Sequence, residues 1–120
     1  MADQVLFIGW DEVTRGREER AVEVFNQTVG FWGRLQQDGR IESFDAVFLR
    51  PNGSGLQGYF ELHGTGEQLG SVQIDPEFDR TILDASLVVE GLRVIPGYSN
   101  EGIASQMELF NQAIAKVPQA

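Results

Sequence analysis

Gln57-Gly58-Tyr59-Phe60-Glu61-Leu62-His63 alternates strictly between two kinds of side chain. A period of two places Gln57, Tyr59, Glu61 and His63 on one face of a β-strand and Gly58, Phe60 and Leu62 on the other. The apolar face requires a core. The other face gathers a phenol, a carboxylate and the only histidine of the chain. Looking into a closed cavity, that face is a site; looking into water, it is an ordinary solvated strand. What surrounds it decides between the two.

Upstream, Ser43 to Leu49 alternates in the same way, with Phe44, Ala46 and Phe48 against Asp45 and Val47. Arg50-Pro51-Asn52-Gly53-Ser54-Gly55 is a dense turn signal, so the two segments read as a β-hairpin with a longer loop. Val5-Leu6-Phe7-Ile8-Gly9-Trp10 is a short, continuous apolar run and reads as a strand buried on both faces. Between them, a polar loop from Asp11 to Gly16 leads into Arg17 to Gln37. There Ala21, Val22, Phe25, Val29, Trp32 and Gln36 recur at helical spacing. Gly30 and Gly33 weaken that helix, and Asp38-Gly39 ends it.

Downstream, Thr65-Gly66-Glu67-Gln68 has the pattern of a capping box, which leaves residues 65–73 open to either a helix or a lid. Asp75-Pro76-Glu77 combines an N-cap aspartate, a proline at the first helical position and an acid at the positive helix end. Phe78, Ile82, Ala85 and Val89 form the stripe that follows. Leu92 to Ile95 reads as a fourth strand stopped by Pro96-Gly97. Asn100 is expected to cap a last helix with Ile103, Met107, Phe110, Ile114 and Val117 on its apolar face. The order is β-α-β-β-α-β plus a C-terminal helix, the split βαβ or ferredoxin-like topology of the α+β class. It predicts a single domain over residues 1–120, an antiparallel sheet in the order four-one-three-two, and both crossover helices on one face.

At 120 residues the chain is long enough for one core and short enough for one domain. A net charge of −9 repels phosphate backbones and anionic lipid, so neither nucleic acid nor a membrane is an expected partner. No cysteine is present, which rules out disulfides, zinc–thiolate sites and thiol nucleophiles. The N-terminus lacks the basic start and small-residue cleavage pattern of a signal peptide, and no apolar run approaches the ~20 residues of a membrane span. A cytoplasmic location is the matching expectation.

A single ferredoxin-like layer covers one sheet face only. Val5 and Phe7 oppose Leu6, Ile8 and Trp10, and both sides of these strands carry apolar residues. Large uncovered apolar patches are rare on monomers, and a second subunit is the simplest cover. In element order, in its two-sided apolar strands and in its terminal helix, the chain resembles the dimeric α/β-barrel superfamily along nearly its whole length, as a member of unknown function. That resemblance implies a homodimer with a cavity between sheet and helices or within the barrel. Superfamily members include cofactor-free monooxygenases, isomerases, decarboxylases, haem-degrading enzymes and stress-induced proteins, so the fold selects no single activity.

Tyr59, Glu61 and His63 are the candidate catalytic residues. His63 is the one side chain with an ordinary pKa near neutrality; it ends a strand at the glycine-rich Gly64-Thr65-Gly66 and suits a general base or a hydrogen-bond donor. Asp45 on the neighbouring strand and Arg93 on the fourth are candidate ligand contacts, and Trp10, Phe25, Trp32 and Phe60 are candidate pocket walls. The competing reading makes the polar row a hydrogen-bond network across a dimer interface. Asn26, Trp32 and His63 fall in no motif of the haem-degrading members, so that activity is not carried over. No His spacing suits a metal, and no glycine loop is followed by the Lys-Ser/Thr of a phosphate loop. No metal and no cofactor are expected. The functional expectation is a small-molecule-binding homodimer acting as a cofactor-independent monooxygenase or isomerase-like enzyme. The alternative is a non-catalytic dimerisation or regulatory module.

Overall fold

The computed structural model describes residues 2–118. Four strands, β1 (Gln4–Trp10), β2 (Ser43–Phe48), β3 (Gly58–Gly64) and β4 (Arg93–Tyr98), form one antiparallel sheet in the order β2-β3-β1-β4. Helix α1 (Glu18–Gln37) connects β1 to β2. The second crossover is divided between α2 (Gly66–Gln73) and α3 (Pro76–Ser86), and α4 (Glu101–Ile114) follows β4. This is the ferredoxin-like α+β arrangement with an added C-terminal helix.

The divided crossover follows from two local start signals. Thr65 closes a full capping box: its side chain accepts from the Gln68 N–H, and the Gln68 side chain accepts from the Thr65 N–H. Residues 66–73 are therefore helix. Ten residues on, Asp75 caps α3 by accepting from the Glu77 N–H at 2.8 Å, with Pro76 at the first helical position. Asp75 also accepts from Arg40 Nη1 at 2.8 Å, tying α3 to the segment that enters β2. The Glu77 N–H first, and the Arg40 guanidinium second, hold the Asp75 carboxyl below its usual value.

The helices lie over the sheet face that carries Leu6, Ile8, Trp10, Phe60 and Leu62. Leu6, Trp32, Leu35, Ile41, Leu62 and Val72 are shut off from solvent at the centre of this core. On α1 the buried set is Val24, Thr28, Phe31, Trp32 and Leu35, a broader band than the single expected stripe, and Val22 and Gln36 are exposed. The reason is that α1 is covered on its flank as well as beneath, by α3, so residues on two faces are buried.

Three further local expectations change. β1 is buried on one face only; Val5 and Phe7 are half-buried on the other. β4 does not stop at Pro96 but runs through it to Tyr98, because β4 is an edge strand paired only with β1 and proline is tolerated on a free edge. Asn100 does not cap α4 through its side chain. It adopts a left-handed turn with φ 52°, and its amide donates to the Ala2 carbonyl at 3.2 Å. The next turn then lies so close to β1 that a Cβ on Gly102 would collide with the Asp3 carbonyl. Beyond that anchor α4 leaves the body of the molecule, with Ile103, Met107 and Phe110 each more than half exposed. No described helix is long and apolar enough to cross a membrane.

Candidate functional site

β3 carries the two halves of the sequence-predicted site on opposite faces of the sheet. Trp10, Phe25, Trp32 and Phe60 come together on the helix side, where they wall a cavity of about 510 Å3 between the sheet, α1 and α3. Tyr59, Glu61 and His63, with Asp45 and Arg93, lie on the other side, which no helix covers.

The cavity is aromatic by construction. Trp10 ends β1 and meets Phe60 on β3 with centroids 5.2 Å apart; Phe25 of α1 stacks on Phe60 at 5.4 Å; Trp32, two turns on, meets Phe60 edge-on at 5.9 Å. Phe48, at the free end of β2, closes on Phe25 at 4.9 Å and is 69% exposed, so it marks the mouth. Val13 and Val22 extend the same rim. The far wall is Thr81, Ile82 and Ala85 of α3. Sequence reasoning placed Ala21 and Ala85 in helix stripes without seeing what they leave empty. Both line the cavity, and an alanine there contributes one methyl group where Leu or Phe would fill space.

The polar residues of the lining are Glu18, Asn26, Thr28 and Thr81, beside the ring of Trp32. Thr28 donates its hydroxyl to the Val24 carbonyl at 2.7 Å. The Trp32 indole Nε1 is buried and has no hydrogen-bond partner among the described residues. Glu18 is the one ionisable residue in the lining, with a carboxyl held low by the backbone N–H groups of Glu18 itself and Gly16. The lining holds no histidine to move a proton.

A strap closes the end of the cavity nearest β4. Val13 pairs with Val89 as an isolated bridge, the Thr14 N–H donates to the Val88 carbonyl at 2.8 Å, and the Asp11 N–H donates to the Glu90 carbonyl at 2.8 Å. Arg93 is drawn into this strap. It bonds the Asp11 carboxylate and donates to the Gly91 carbonyl at 3.0 Å, away from Glu61, which lies two strands distant. Gly91 has φ 61°, and a Cβ there would strike the Asp11 carboxylate.

The uncovered face is mixed. Phe7 and Tyr59 stack at 5.1 Å, and Val5, Val47 and Ile95 flank them. His63 Nε2–H donates to Asp45 Oδ2 at 3.0 Å, the carboxylate being able only to accept. Asp45 and Glu61 stand directly opposite each other on β2 and β3. The acid–base groups are thus grouped as the alternation implies, on the far side of the sheet from the aromatic cavity.

No family model and no curated protein matches the sequence. Solved structures do match the fold. A dimeric ferredoxin-like protein of unknown function from Bacteroides fragilis superposes with a TM-score of 0.59 at 11% identity, over 80% of this chain and 96% of its own. A dimeric ferredoxin-like protein of unknown function from Jannaschia gives 0.59 at 12% identity, over 81% and 98%. SnoaB, a cofactor-independent oxygenase from Streptomyces nogalater, gives 0.50 at 18% identity, over 82% and 93%. The chain shares the ferredoxin-like fold of these proteins.

Proposed function

We propose that the protein binds a small apolar organic molecule in the cavity between the sheet and helices α1 and α3. The observation that carries this reading is the cavity of about 510 Å3 itself, lined by five aromatic side chains and left open by Ala21 and Ala85. Its volume and its sparse polar groups are those of a ligand site. An oxygenase-type reaction on the bound molecule is the finer reading, supported by the likeness to SnoaB and resting on fold alone.

Isothermal titration calorimetry with 2-acetylnaphthalene tests the binding. One equivalent is expected to bind, and Ala85→Phe, which fills the far wall, is expected to abolish binding while keeping a cooperative melt. Absence of binding to the wild type, or undiminished binding to the filled variant, would overturn the proposal.

A second reading is compatible with the first: self-association through the uncovered sheet face. It is supported by the half-buried Val5, Phe7, Val47 and Tyr59 on that face and by the dimeric state of two fold neighbours. Tyr59, Glu61 and His63 then belong to the interface between two copies, where the His63–Asp45 bond sets register.

A further inference from the structure

Helix α4 is stretched away from the molecule it belongs to. The radius of gyration is 16.8 Å and the longest extent 54 Å, whereas a globular chain of this length has a radius of about 14 Å. Among the other elements α4 meets chiefly β4, from which it springs. Its Ile103, Met107 and Phe110 recur at spacings of four and three, so they share one helix face, and each is more than half exposed. Local signals do little to hold it. Its fourteen residues include Gly102, no side chain caps its start, and no basic residue stands in its last turn. A helix of that length is marginal in water unless an apolar face is packed. The stripe therefore calls for a cover from outside the single chain.

A second copy of this chain is the occupant that the surface fits. The chain has one other apolar surface without a cover, the open sheet face of Val5, Phe7, Val47 and Tyr59, and the half-exposed Ile95 on β4 carries that face to the foot of α4. The lengths agree: fourteen helical residues span about 21 Å, as do strands of six or seven residues. Charge agrees as well. Two copies each carrying −9 repel, and Glu101 and Glu108 are the only charges on α4, so this helix can approach an acidic neighbour at small cost. The same acids, with no cation beside them, make α4 a poor anchor for an anionic lipid surface. Resting on the self-association reading above, we infer that α4 is an exchanged arm: the Ile103-Met107-Phe110 stripe of each copy packs on the open sheet face of the other. One two-fold arrangement then covers both apolar surfaces of both chains.

Sedimentation velocity at tens of micromolar compares Phe110→Glu with Leu83→Glu, a similarly exposed apolar position on α3. Phe110→Glu should weaken association by about thirtyfold, as the loss of a buried aromatic anchor allows, and keep the melting temperature of a dilute sample. Leu83→Glu should associate as the wild type does. In wild type mixed from chains labelled with 13C at the methionine methyl groups and unlabelled chains, the Met107 methyl should show nuclear Overhauser contacts to Phe7 or Tyr59 ring protons of the other copy. That readout needs no variant. Undiminished association of Phe110→Glu, or an associated wild type without those contacts, would overturn the inference and leave self-association through the sheet face standing. A wild type that remains a single chain would overturn both, whatever else α4 binds.

Discussion

The two faces of the sheet are made by alternate residues of the same strands, yet they have opposite characters. On the helix side, Phe60 and Leu62 are buried among aromatic rings and aliphatic groups. On the other side, Tyr59, Glu61 and His63 share their surface with Asp45, Val5 and Phe7 and are only half-buried. A register slip of one residue would exchange them, so the two faces fix the pairing of β3 with both neighbours. The contrast also divides labour. Shape and apolar contact belong to the covered face, while charge and proton-carrying groups belong to the uncovered one.

The largest expected difference between the faces is in stability. Leu62 is fully buried, and Leu62→Ala should cost about 2–5 kcal/mol in urea unfolding, because the helices above cannot collapse completely into the space. Val5→Ala, on the partner strand but on the open face, should cost about 1 kcal/mol or less. Equal losses would mean that the open face is as tightly packed as the covered one, and the contrast would break.

A smaller effect, read in association, concerns the open face alone. Phe7 stands opposite Glu61 and stacks on Tyr59. Phe7→Glu places two carboxylates across from each other, an unfavourable cross-strand pair, at the centre of the proposed self-association surface. Sedimentation velocity at tens of micromolar should give the wild type as twice the 13.3 kDa chain mass and the variant as a single chain with an unchanged far-ultraviolet spectrum. A wild type that sediments as a single chain at every accessible concentration would sink the self-association reading.

Much of the architecture is legible in the chain because its signals are local. The alternation of Gln57 to His63, the capping box at Thr65 and the Asp75-Pro76 start each act within a few residues, and each appears in the structure where the pattern puts it. Strand order follows from the same element sequence. What is not legible depends on neighbours distant in sequence. Pro96 looks like a stop until β4 is known to be an edge; Asn100 looks like a cap until Ala2 takes its amide. The candidate site shows the limit most plainly. Periodicity shows that Phe60 and Tyr59 point opposite ways, but not that Trp10, Phe25 and Trp32 join Phe60, nor that Ala21 and Ala85 leave a space beside them. Emptiness comes from side chains that are absent, and only the packed arrangement reveals it.

The smallest expected effect tests whether the open face is open in solution. The His63–Asp45 bond involves an aspartate side chain that is 65% exposed, and exposed pairs of this kind contribute little. His63→Ala should therefore change the unfolding free energy of a dilute, single-chain sample by no more than about 0.5 kcal/mol. If two copies meet through this face, the same bond is withdrawn from water. Removing the imidazole then leaves Asp45 buried beside Glu61 without its donor, an arrangement that costs far more than the exposed pair is worth. The penalty of His63→Ala should accordingly grow with protein concentration over the range in which the wild type associates, whereas that of Leu62→Ala, set by a core inside one chain, should not. A His63→Ala penalty that stays small and flat across that range would place the row in water, and would leave the covered cavity as the one face of the sheet with a function to explain.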